Sequence, residues 1–176
     1  PQGAPDYNTD EIERAERAVA ANPHDAQARL ALGDAYLDGG RFASAETTFS
    51  DAMALGDASP RLALSLALTQ IAQAKYGQAA ALLNDWDQEI ARADLGLALA
   101  LAGQPERGIH IMSNAIRGGE NTVKMRQNLA YAFAMAGRWR EARLMAEQDL
   151  DAGAVNGRME EWAGLSGAGA YQHRIA

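Results

Sequence analysis

The chain has 176 residues, 48% of them hydrophobic, and a formal charge of −7 at neutral pH. That is apolar material enough for a buried core in one domain, while basic residues dispersed rather than gathered in a stripe argue against nucleic acid as a partner. Cysteine is absent, which excludes a disulfide framework, a zinc knuckle and a thiol nucleophile; the most apolar stretch, Leu95 to Ala102, is only eight residues long and cannot span a membrane.

In chain order, Pro1 to Asn8 is a polar lead containing Pro and Gly, read as flexible. Thr9 stands as an N-cap with acidic residues following it, and predicts a helix over residues 9–22. Residues 26–59 then make one complete block. Leu32-Gly33 and Tyr36 are followed by Gly40-Arg41-Phe42, then by Ala45, Phe49 and Ala52. Gly33, Ala45 and Ala52 allow two antiparallel helices to approach closely, and Leu32, Tyr36, Phe42 and Phe49 fill the seam. The turn and its following small residue recur at Ala79, Gly108 and Ala142, in steps of 34, 29 and 34 residues from Ala45. The short step falls at Asn84 to Asp87, where a helix trimmed by about one turn is expected.

This spacing resembles the tetratricopeptide repeat (TPR). The resemblance implies an all-α superhelical solenoid with repeats at residues 26–59, 60–88, 89–122 and 123–154. Helix 9–22 is then either the second helix of an incomplete leading repeat or an unrelated amphipathic helix. A helix over 156–165, carrying Met159 and Trp162, closes the last apolar edge. In the second and third repeats Gln70 and Leu99 stand where Tyr36 stands in the first. Residues 166–176 read as a tail that opens a further helix, so the natural protein is expected to continue there, and a segment is expected upstream of Pro1.

The search for chemistry yields little. His24, His110 and His173 have no second ligand three or four residues away, so no metal site is expected. Glu160-Glu161 and Asp85/Asp87 sit at helix ends, where carboxylates are favoured by the helix dipole or by solvent. Gly164 to Gly169 has neither the Lys-Ser/Thr ending nor the preceding strand of a phosphate loop, and no serine stands in a nucleophile turn. The reading is of a binding protein, not an enzyme, with no cofactor.

In a TPR array the first helix of each repeat lines the concave face, so the resemblance places a partner groove on Leu30, Asp34 and Leu37, on Leu64, Leu68 and Ile71, on Ala93, Leu97 and Ala100, and on Lys124, Gln127, Asn128 and Tyr131. A row of apolar groups there suits a peptide or amphipathic helix from a protein partner; the other reading is that a tail or a neighbouring subunit packs on them. Some TPR domains grip a terminal carboxylate with a Lys/Asn/Arg clamp. Lys124, Arg126, Gln127 and Asn128 are suitable, but Asp34 and Asp38 stand where further clamp members would be needed, which argues against that use.

Arg126 to Phe133, the Gly137-Arg138-Trp139 turn, Asp149-Leu150, Arg158-Met159 and Trp162 together resemble the last repeat and cap of TadD-type TPR proteins, alphaproteobacterial envelope proteins linked to tight-adherence (Flp) pilus assembly. That resemblance implies an exported, periplasmic or outer-membrane-associated assembly factor, often lipid-anchored through an upstream cysteine, whose partner is a secretin or pilus component. Similar TPR segments precede peptidoglycan-binding SPOR domains in related bacteria. A cytoplasmic adaptor, regulator or co-chaperone is the alternative.

Overall fold

The computed structural model describes residues 7–166, which form helices and short turns with no strand among them. In chain order the helices are α1 (Tyr7–Ala21), α2 (Ala26–Asp38), α3 (Phe42–Ala54), α4 (Pro60–Ala72), α5 (Tyr76–Asp85), α6 (Arg92–Leu101), α7 (Pro105–Arg117), α8 (Val123–Met135), α9 (Trp139–Ala146) and α10 (Ala152–Ser166). The polar lead up to residue 6 and the tail from residue 167 lie outside the described residues.

Helix starts are written in local chemistry. The Asp25 side chain accepts from Gln27 N at 2.9 Å and Ala28 N at 3.3 Å, Ser59 from Leu62 N at 3.1 Å, and Thr122 from Met125 N at 3.1 Å, so each satisfies N–H groups that the helix itself leaves orphaned. Pro60 and Pro105 take first-turn positions, where a missing N–H is harmless.

Helix ends share one closure. Arg41 N donates to Tyr36 O, Lys75 N to Gln70 O, Gln104 N to Leu99 O and Arg138 N to Phe133 O, all at 2.8–2.9 Å. This is the six-to-one bond of the Schellman motif, which requires a left-handed residue just before the donor. Gly40, Gly103 and Gly137 supply it with φ of 73°, 86° and 76°; in the second repeat Ala74 is held there at φ 60°.

The hairpins α2–α3, α4–α5, α6–α7 and α8–α9 each pack face to face, and three glycines set how closely in two of them. A Cβ added at Gly33 would lie 2.4 Å from the Phe49 ring, and one at Gly96 2.4 Å from Met112 Cγ. At Gly108 it would meet the backbone itself, 2.5 Å from Gly96 O, so the α6 and α7 main chains are in direct contact.

Several boundaries differ from the sequence reading. α1 begins at Tyr7, ahead of Thr9. α6 begins at Arg92 rather than near Glu89, because Ile90 is buried and the Arg92 guanidinium donates to the Asp87 and Ile90 carbonyls, holding residues 87–90 as a turn. α10 begins at Ala152 rather than Asn156, since Asp151 Oδ1 accepts from Ala154 N at 2.8 Å, and it runs to Ser166. α5 has 10 residues where α3 and α7 have 13, the shortening that the 29-residue step predicts.

The chain divides into two compact units after Trp86. In the first, Ile12 of α1 joins Leu30, Leu32, Tyr36, Phe49, Leu62 and Leu66 in one buried cluster. In the second, Met112, Met125, Leu129 and Phe133 join Val155, Met159 and Trp162 of α10.

Candidate functional site

In the first unit, the expected groove residues come from α2 and α4. The backbones of these helices come close at few points, and the Arg61–Asp34 ion pair, at 2.5 Å, spans them. Leu37, Leu64, Leu68 and Ile71 are all half-buried, and Asp38 beside them is exposed and carries no ion pair among the described residues. Leu30 is different. Only 6% of it is exposed and it belongs to the core, because α1 packs along α2 and turns that side of the helix inward.

In the second unit, α6 and α8 pack closely and use most of the expected groups on each other. Ala93 and Ala100 are buried. Asn128 Nδ2 donates to the Ala93 carbonyl at 2.9 Å, and Lys124 Nζ lies 2.7 Å from Asp94. Tyr131 meets Trp162 of α10 edge to face, centroids 5.9 Å apart at 77°. Leu97 and Gln127 remain half-buried. The Arg126 guanidinium grips Asp149 with Nη2 to Oδ1 at 2.8 Å and Nε to Oδ2 at 3.0 Å, and its Nη1 donates to Asn121 Oδ1 at 2.7 Å. This bidentate pair holds the Asp149 carboxyl below its usual range. Lys124, Arg126 and Asn128 are thus engaged internally rather than poised as a carboxylate clamp.

Polar ties elsewhere in the first unit are also structural. Burial, then the hydrogen bond its hydroxyl donates to Glu16 Oε2 at 2.9 Å, pushes the Tyr36 phenol up. The Lys75 ammonium, 2.7 Å from Glu46 Oε1, holds that carboxyl down, helped by Gln73 Nε2 at 3.0 Å. Among the described residues no cluster of three or more His, Asp or Glu could hold a metal ion, and no helix is long and apolar enough to cross a membrane.

One recurring device escaped the sequence reading. Arg41 lies over the Tyr36 ring at 4.7 Å and Arg138 over the Phe133 ring at 5.0 Å, so the arginine of each Gly-Arg turn stacks on the aromatic five residues before it. Where that ring is replaced by Gln70 or Leu99, the arginine is replaced as well, by Lys75 or Gln104. The paired loss was the available signal.

Successive helix hairpins, joined by the same Schellman turn and packed through the same small positions, define an α-helical repeat protein. Residues 12–61 and 32–93 match the tetratricopeptide repeat family model. Solved structures of tetratricopeptide repeat proteins share the fold. TTC0263, a thermophilic TPR protein of Thermus thermophilus, has a TM-score of 0.64 at 21% identity, over 86% of this chain and 88% of its own. YrrB, a TPR protein with an unusual peptide-binding site, gives 0.63 at 16% identity, over 86% and 85%. MamA of AMB-1 gives 0.61 at 23%, over 88% and 90%. No protein of curated function matches the chain by sequence. Residues 12–93 thus match tetratricopeptide repeats, and the described chain has the tetratricopeptide repeat fold, one that implies a protein–protein interaction scaffold.

Proposed function

We propose that the chain is an assembly factor of the bacterial cell envelope, of the TadD type, which receives an apolar peptide or amphipathic helix of a secretin or pilus component on the α2/α4 face of its first unit. The observation that carries the binding site is the half-buried row Leu37, Leu64, Leu68 and Ile71 beside a seam that one ion pair spans; apolar groups left wet in a row gain most from a partner. The envelope assignment rests on the resemblance of residues 126–162, where the Arg126–Asp149 pair ties the start of α8 to the turn that follows α9.

The test is a pull-down with the tagged chain from envelope and cytosolic fractions, read by mass spectrometry, beside the double variant Leu64→Glu/Leu68→Glu. Enrichment of a secretin or pilus component, lost in the variant while its helical circular dichroism is kept, supports the proposal. Binding that survives in the folded variant removes the α2/α4 face from consideration. Enrichment of cytosolic regulators or chaperones instead refutes the envelope role and favours a cytoplasmic adaptor.

A further inference from the structure

The second unit carries a cleft that the first-helix faces do not account for. It lies between α9 and α10, has a volume of about 630 Å³, and is walled by Trp139, Arg140 and Arg143 on one side and Asn156, Met159 and Glu160 on the other. The spacing of these residues puts each set on one face of its helix. Its base is apolar, since Trp139 is half-buried and Met159 nearly closed from solvent. Leu144, one turn along from Arg140 on the same side of α9, is 55% exposed.

The α9 wall carries positive charge in a chain whose net charge is −7. Arg140 and Arg143 are exposed and neighbours on one helix, yet neither forms an ion pair among the described residues; Arg143 Nη1 only donates to the amide oxygen of Asn156 at 2.9 Å. Two solvated cations beside an apolar floor are complementary to a ligand that brings carboxylates and one large apolar group together.

We propose that the α9/α10 cleft is a docking site for a short acidic segment of a partner protein, in which a Leu, Phe or Trp settles over Trp139 and Met159 while flanking Asp or Glu side chains pair with Arg140 and Arg143. The segment following α10 in this chain does not fit that description: residues 167–176 contain Arg174 and no Asp or Glu side chain. Glu160, on the opposite wall, repels an acidic ligand and so directs its carboxylates to the α9 side.

The test uses two pools of synthetic, fluorescein-labelled 12-residue peptides, one with a single Leu, Phe or Trp flanked by Asp or Glu at three- and four-residue spacing, the other identical with Lys in place of each acid. Anisotropy is read against the full chain. The acidic pool is expected to bind saturably and to weaken with added salt, with affinity reduced about tenfold or more by Arg140→Glu/Arg143→Glu, raised about two- to threefold by Glu160→Gln, and unchanged by Leu64→Glu/Leu68→Glu. The last variant separates this site from the α2/α4 face, so either can fail alone. Should the charge reversal disturb folding, Arg140→Gln/Arg143→Gln must still weaken binding. No saturable binding, equal binding of the Lys pool, or indifference to the arginine variants overturns the proposal; so does self-association of the chain abolished by the same variants, which would give the cleft to a second copy.

Discussion

Replacing Gly108 and Gly157 by alanine, one at a time, should move stability in opposite directions. Both glycines lie inside helices of the second unit, α7 and α10, and in an isolated helix each change would gain about 1 kcal/mol from propensity. At Gly157 the new methyl meets nothing within 4 Å, so a gain of about 0.5–1 kcal/mol should remain. At Gly108 it would sit 2.5 Å from Gly96 O. An ordinary C···O contact is about 3.3 Å or more, so α6 and α7 must part by roughly 0.8 Å, and the obstacle is main chain that no rotamer change can move. Overpacking of that kind costs about 1–3 kcal/mol and spreads along a hairpin packed at interior density. Net of the propensity gain, Gly108→Ala should lose up to about 2 kcal/mol. Urea melts followed by circular dichroism at 222 nm, and by the fluorescence of Trp139 and Trp162 in the same unit, would read both signs, with an unchanged m-value as the check that stability alone has moved. Gly108→Ala equal to or more stable than the parent would refute the claim that these backbones touch.

Ala74→Gly should stabilise the chain by about 1 kcal/mol, since alanine at φ 60° pays a steric cost that glycine at Gly40, Gly103 and Gly137 avoids; Gly40→Ala should lose a similar amount, and thermal melts of the pair check both. Asp149 gives a pH signature. Its folded pKa is depressed by Arg126, so the stability it adds is full above the unfolded carboxylate pKa of about 3.9 and is lost as pH falls through the lower folded value. Urea midpoints of the parent and Asp149→Asn should therefore differ most at neutral pH and converge below about pH 4; a gap independent of pH would contradict the ion-pair account.

The hairpins were legible in the sequence because they depend on local rules: a small residue where two helices meet, a Gly before the turn donor, a Pro or hydroxyl at a helix start. The trimmed α5 was legible for the same reason, as a change of spacing. What failed to show was which side of a first helix stays wet. Leu30 was assigned to the groove by its register with Asp34 and Leu37, yet the leading helix α1 draws it into the core. Lys124, Asn128 and Tyr131 were assigned in the same way, but their partners Asp94, Ala93 and Trp162 lie 30 or more positions away in sequence. Spacing within a helix cannot disclose what the neighbouring helix brings. The α9/α10 cleft was missed because it is formed by residues that the repeat pattern leaves unspecified, Arg140, Arg143 and Asn156 among them.

The contact of Gly108 with the Gly96 carbonyl also has a mechanical meaning. Helices separated by side chains can slide, because rotamers yield before backbones do; helices whose main chains abut have no such cushion. The α6–α7 hairpin is therefore a stiff strut, and the amides along its contact should exchange together and only when the two helices part.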